Sequence, residues 1–169
     1  MTAALQVYAG PRARAQLRER GLSVGDVRVV PAAAGGPKGL VLNPLDRFVF
    51  GHWLARCTHT IHLLGASIGA WRMASACLPD PDAALAQLAV DYIAQDYPHA
   101  PGKAPTSRDV SAMFGAKLEQ RFSGRGDEVL APRRATACMC SPAAAAICCA
   151  ARAGYGHRLA TSVPLRPIW

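Results

Sequence analysis

The feature that most constrains this chain is a lone serine between two glycines, where an apolar run gives way to a helix-like stretch. Residues 63–72 read LLGASIGAWR. A short, mostly apolar segment without alternation, such as residues 59–64, is the pattern of a strand buried in a parallel sheet. Parallel strands need crossover connections, and those are usually helical. The junction therefore predicts alternating strands and helices, with the small-residue turn Gly65-Ala66-Ser67-Ile68-Gly69 at the carboxyl edge of a sheet, where open α/β folds bind ligands.

The upstream sequence agrees. Residues 11–20 read as a short basic helix closed by Gly21. Residues 26–34 (DVRVVPAAA) are strand-like, and Gly35-Gly36-Pro37-Lys38-Gly39 is a glycine-rich loop. Asn43-Pro44 suits a helix start, with Asn as cap and Pro in the first turn. Leu45, Phe48, Val49, Trp53 and Leu54 then recur at helical spacing and predict one buried face. Downstream, helices are expected over 68–77, over 82–97 with Asp82 as cap, and over 108–122, with a proline-rich linker at 98–105 and a turn at 123–126. The order strand, glycine loop, helix, strand, serine turn, helix predicts an α/β fold with a mostly parallel central sheet.

The chain's 169 residues suffice for one domain with a core, and 51% hydrophobic against 18% charged residues is a globular balance. No apolar run approaches the ~18 residues of a membrane helix. The first residues show no secretory signal pattern, so a cytoplasmic protein is expected. Net charge is +8, but its placement argues against nucleic acid. From Val129 onward there is no Asp or Glu, while Arg133, Arg134, Arg152, Arg158 and Arg166 all lie there. The remainder is mildly basic, with no Lys/Arg block interleaved with aromatics. Four of the six cysteines (Cys138, Cys140, Cys148, Cys149) share that tail. Their spacing does not fit zinc, and they read as free thiols. No metal site or cofactor motif is visible.

A serine hydroxyl becomes a nucleophile only with a base for its proton and donors for the oxyanion. Gly-x-Ser-x-Gly between strand and helix provides the exposed, strained turn such a serine needs, and the helix N-terminus adds partial positive charge. The alternative is a small-residue turn that packs helix on strand. The glycine loop has a similar pair of readings. Its backbone N–H groups form an anion pocket, with Gly36 and Lys38 as donors because Pro37 has none, or it is a plain turn. It lacks the Gly-Lys-Ser/Thr ending of a Walker loop.

In this order and at this separation the two motifs are more specific than either alone. The segment from Val29 to Trp71, VVPAAAGGPKGLVLNPLDRFVFGHWL followed by IHLLGASIGAWRMA, resembles a bacterial member of the patatin-like phospholipase family. The resemblance implies a three-layer patatin-like fold with a mostly parallel central sheet, incomplete here at the C-terminus. It implies a serine-dependent lipid acyl hydrolase without a cofactor. Ser67 would be the nucleophile between elbow residues Gly65 and Gly69. Gly35, Gly36, Lys38 and Gly39 would form the oxyanion loop, joined by Ile68 beside the serine. A lipid or acyl-ester substrate follows, with transient contact at a membrane surface. Oligomeric state is not legible.

The family pairs its serine with an aspartate in an Asp-Gly-Gly or Asp-Gly-Ala motif, and no Asp-Gly occurs in this chain. Asp46 and Asp82 read as helix-start residues, and Asp127 closes the series in a Gly-rich turn. His52, His59 and His62 read as structural: His52 beside core aromatics, the other two in the strand before the elbow. Beyond Leu130 the sequence shows neither period and is rich in Ala, Arg and Cys. Residues 1–130 are therefore expected to be the N-terminal part of the hydrolase domain. Residues 131–169 are expected to be an atypical tail from a truncated or frame-shifted reading, because out-of-frame GC-rich DNA encodes this composition. The alternative function is a non-catalytic α/β remnant or an anion-binding module.

Overall fold

The computed structural model describes residues 6–97, 99, 101–130 and 136–140, the last group and Leu130 by their backbone alone. The described chain is a mixed α/β unit, mostly helical around a small parallel sheet. Its strands are β1 (Val29–Ala32), β2 (Ile61–Gly65) and β3 (Thr136–Cys140), in spatial order β1-β2-β3. Both pairings are parallel, with Val29 opposite His62 and His62 opposite Ala137. β3 lies in the stretch whose sequence shows no strand periodicity. Residues 131–135 and 141–169, with Arg133, Arg134, Cys148, Cys149 and the other tail arginines, lie outside the described residues.

Helix α1 (Pro11–Arg20) starts on a proline and ends at Gly21, whose φ of 75° only glycine adopts freely. It buries none of its residues. Between β1 and β2 the chain winds at changing pitch: a 3₁₀ stretch at Gly36–Leu42, α2 (Asn43–Phe48), a π-helical turn at Val49–Trp53, and a 3₁₀ turn at Leu54–Arg56. Of the expected apolar face, Leu54 is buried and Val49 and Trp53 pack partly buried against the core, whereas Leu45 and Phe48 are exposed and Asp46 and Phe50 are buried in their place. Asn43 is itself helical and caps nothing. Its Nδ2 instead donates to the Leu85 carbonyl at 2.8 Å, tying this segment to the fourth helix.

Helices α3 (Ile68–Ala76), α4 (Pro81–Ile93), α5 (Ser107–Phe122) and α6 (Gly126–Leu130) follow β2. The cap of α4 is Asp80, which accepts from the Ala83 N–H at 3.0 Å, not Asp82. Pro81 takes the first helical position, which moves the cap one residue before it. α4 also stops at Ile93, short of Tyr97. Thr106 caps α5 by accepting from the Asp109 N–H.

α3 packs on all three strands, and α4 packs on α2 and α3. The core between them holds Ile61 and Leu63 of β2, Met73 of α3, Leu85 of α4, and Phe122 and Val129. β2 was expected to be buried on both faces. Instead Ile61, Leu63 and Gly65 point into the core while His62 and Leu64 are exposed. In register with them, Val29 and Pro31 of β1 are exposed as well. The described helices cover only one face of the sheet, which is why a segment lacking polar alternation still alternates in burial.

Candidate active site

The turn from β2 into α3 is built by sterics. A Cβ on Gly65 would stand 2.4 Å from the Ala70 Cα, and one on Gly69 would stand 2.2 Å from the Ala32 carbonyl oxygen. Both contacts are with backbone and have no rotamer escape. The glycines let α3 fold back tightly on its own strand and lie against the end of β1. Ser67 sits between them as the helix's flanking residue, with φ 53° and ψ −127°. It is the one non-glycine residue with positive φ among the described residues. These angles match the first corner of a type II′ turn, a position that favours glycine. Such strain marks functional sites when the surroundings enforce it. Here the two glycine contacts enforce it.

Ser67 is exposed, and its carbonyl accepts from the N–H of Ala70 at 2.9 Å. Ile68, the first residue of α3, is buried. As the first helical residue it has no intrahelical acceptor for its N–H.

The glycine-rich segment meets this turn directly. It is a 3₁₀ turn rather than an open loop. A Cβ on Gly39 would stand 2.8 Å from Ile68 Cγ2, so the absence of a side chain lets the turn lie on the residue that follows the serine. Gly36 adopts φ 53°, and the Lys38 N–H donates back to the Gly35 carbonyl at 3.2 Å. Of the two donors expected in this loop, Lys38 is thus engaged inside the turn. Gly36, at the first position of the turn, precedes any internal acceptor. Tight packing on Ile68 thus falls to Gly39, while Gly35 is the extended residue before the turn, with no backbone crowding at its Cα.

No described family, curated protein or solved structure matches the chain.

Among the described residues no carboxylate or imidazole is hydrogen-bonded to Ser67. Most of the aspartates are engaged elsewhere. Asp26 pairs with Arg20, Asp82 with Arg47 and Asp91 with Arg121, while Asp80 and Asp109 serve helix starts. Asp46 is buried and takes both oxygens to Arg72 of α3, at 2.5 and 2.8 Å. It lies in the first turn of α2, as expected of a helix-start residue, and it also links α2 to α3. Asp96 and Asp127 are exposed. His52 is exposed on the helix, 6.4 Å from Phe48 between ring centres, rather than set among core aromatics. His62 lies on the open sheet face. His59, just before β2, has Nε2 2.7 Å from the Val27 carbonyl and Nδ1 3.2 Å from the Cys57 sulfur.

The structure also brings in residues that no motif marked. A cavity of about 240 Å³ opens beside Ser67, lined by Ile68 and Trp71 of α3, Tyr92 of α4, and Phe114 and Leu118 of α5. Trp71 is four residues after Ser67, one helical turn on, and so shares its face. It stands edge-on to Phe114, with ring centres 5.3 Å apart, and Tyr97 also approaches Phe114 at 6.3 Å. Burial, aided by Tyr97, raises the Tyr92 phenol above its ordinary pKa. The only sequence signal for this wall was the aromatic at helical spacing after the serine. Among the described residues no cluster of His, Cys, Asp or Glu could hold a metal ion, and no helix is long and apolar enough to cross a membrane.

Proposed function

We propose that this chain carries the nucleophile and oxyanion half of a serine-dependent acyl-ester hydrolase, built as the N-terminal part of a three-layer patatin-like fold. The observation that carries the reading is Ser67 itself. It is exposed, held at φ 53° between two glycines whose Cβ positions are occupied by backbone, with the Gly36–Leu42 turn against its neighbour Ile68. A turn that served packing alone would use glycine at this corner. The strain is accepted at a residue with a nucleophilic oxygen. The open face of Val29, Pro31, His62 and Leu64 is where a third layer would rest in the three-layer fold.

In this reading Ser67 Oγ attacks an ester carbonyl, giving its proton to a base that the described residues do not supply and that returns it to the leaving alcohol, and the N–H groups of Gly36 and Ile68 receive the developing oxyanion. The alcohol leaves, and water releases the acyl group from the serine ester. Substrate is a lipid or other acyl ester, with transient contact at a membrane surface.

The test is covalent labelling by an alkyl fluorophosphonate, which reports an activated serine without requiring turnover. Labelling of the folded wild-type chain and none in Ser67→Ala is expected. Equal labelling of both refutes the assignment. The second reading, a non-catalytic remnant, is favoured by the absence of any described base at Ser67. Folded protein that stays unlabelled would establish it.

A further inference from the structure

We propose that the aromatic cavity beside Ser67 is an acyl pocket for short chains, with Trp71 and Phe114 setting the limit. The inference rests on the hydrolase reading and adds the class of acyl group. Three observations carry it. The cavity includes Ser67 in its lining, so a group held there is already at the nucleophile. Apart from Ser67 and the Tyr92 phenol its walls are apolar and carry no charged side chain, which selects hydrocarbon over a charged head group. Its volume, about 240 Å³, lies below the ~300–1,000 Å³ of sites that enclose drug-sized ligands. With a methylene taken as similar in bulk to a water molecule, roughly 30 Å³, about eight carbons fit within it; its mouth is open, so the rest of a longer chain must leave the aromatic walls for solvent. A hexadecanoyl chain needs about twice that room.

The wall resists expansion because it is interlocked. Trp71 stands edge-on to both Phe114 and Tyr92, with interplanar angles of 84° and 78°, and Tyr92 and Phe114 are themselves 6.0 Å apart. The three rings come from α3, α4 and α5. Moving one requires moving its neighbours, and aromatic side chains have few alternative rotamers with which to do so.

The experiment compares the rates at which butyl and hexadecyl fluorophosphonate label the full chain, in wild type and in Trp71→Ala. In wild type the butyl reagent is expected to react about tenfold faster or more, since each poorly fitting methylene costs a factor of this order in a tight apolar pocket. Trp71→Ala is expected to remove most of that preference, and Phe114→Leu to reduce it if the first variant does not fold. A wild-type preference for the hexadecyl reagent, or a ratio unchanged in both folded variants, overturns the proposal. No labelling by either reagent removes the hydrolase reading instead. The pocket is then judged by tryptophan fluorescence against hexanoate and hexadecanoate at equal submicellar concentration. Saturable change with hexanoate alone supports the size limit, and any other pattern overturns it.

Discussion

Replacing Asp46 by alanine is predicted to be among the most destabilising single changes in the described chain outside its apolar core. Asp46 and Arg72 expose only 9% and 7% of their side chains and are joined by two hydrogen bonds. Removing the carboxylate strands a guanidinium between α2 and α3, and Arg72 cannot neutralise by losing its proton. Breaking a buried pair in this way costs about 3–5 kcal/mol, against a total stability of about 5–15 kcal/mol for a domain. At roughly 2–4 °C per kcal/mol for a chain of this size, Tm should fall by about 6–20 °C. The assay is urea unfolding followed by circular dichroism, with a constant slope showing that the unfolded state is unchanged. The double variant Asp46→Leu/Arg72→Met tells whether the loss comes from the stranded charge. It should be far more stable than the single losses added together, because apolar residues of similar volume often replace a buried pair with little cost. Added salt should leave the effect of Asp46→Ala intact, since buried charges are weakly screened. A cost below about 1 kcal/mol for Asp46→Ala, the range of a surface pair, would refute the reasoning. So would a double variant equal to the sum of its parts.

The elbow makes two predictions of opposite sign. Gly69→Ala should destabilise by at least the ~1–3 kcal/mol of an overpacked core, because its Cβ meets the Ala32 carbonyl at 2.2 Å, and it should slow labelling of Ser67 by moving α3; unchanged unfolding would mean the approach is not that close. Ser67→Gly should abolish labelling yet stabilise the fold by about 1 kcal/mol through relief of its backbone strain, read from the urea midpoint, and a loss of stability would contradict the strain. The exposed Arg47–Asp82 pair between α2 and α4 contributes to acid behaviour: hydrogen bonding to Arg47 holds the Asp82 carboxyl below its ordinary pKa. Its stabilising contribution is complete above the unfolded value of ~3.9 and is lost as pH falls through the lower folded value. Asp82→Asn should therefore lower the neutral-pH stability slightly and reduce, without abolishing, the fall of Tm between about pH 5 and 2, since Asp26 still titrates there, whereas an unchanged slope would show that the pair does not form in solution.

Local chemistry made much of this chain legible. Pro11 and Gly21 bound the first helix, and the small-residue run after Leu64 marks a strand-to-helix turn. The parallel α/β order followed from these signals, because turn and cap residues act within a few positions of themselves. The errors arose where partners are distant. Asp46 does sit in the first turn of its helix, but its pairing with Arg72 was missed because nothing nearby reveals a partner twenty-six positions on. Asn43 looked like a cap because its bond to Leu85 crosses between helices. Leu45 and Phe48 looked buried because they are apolar at helical spacing, whereas the buried side of α2 carries Asp46, held by Arg72 of α3.

The same division runs through the candidate site. The sequence by itself determined that a serine sits between glycines at the end of an apolar strand, and that no Asp-Gly follows it anywhere. Only the tertiary structure decided that this serine takes a strained, exposed conformation, that Gly39 rests on Ile68, and that Lys38 is bonded back into its own turn. It alone gathered Trp71, Tyr92 and Phe114 from three helices around the same serine. The physical reason is range: steric and capping preferences are written between near neighbours, whereas a cavity and an ion pair exist only once separate elements have packed.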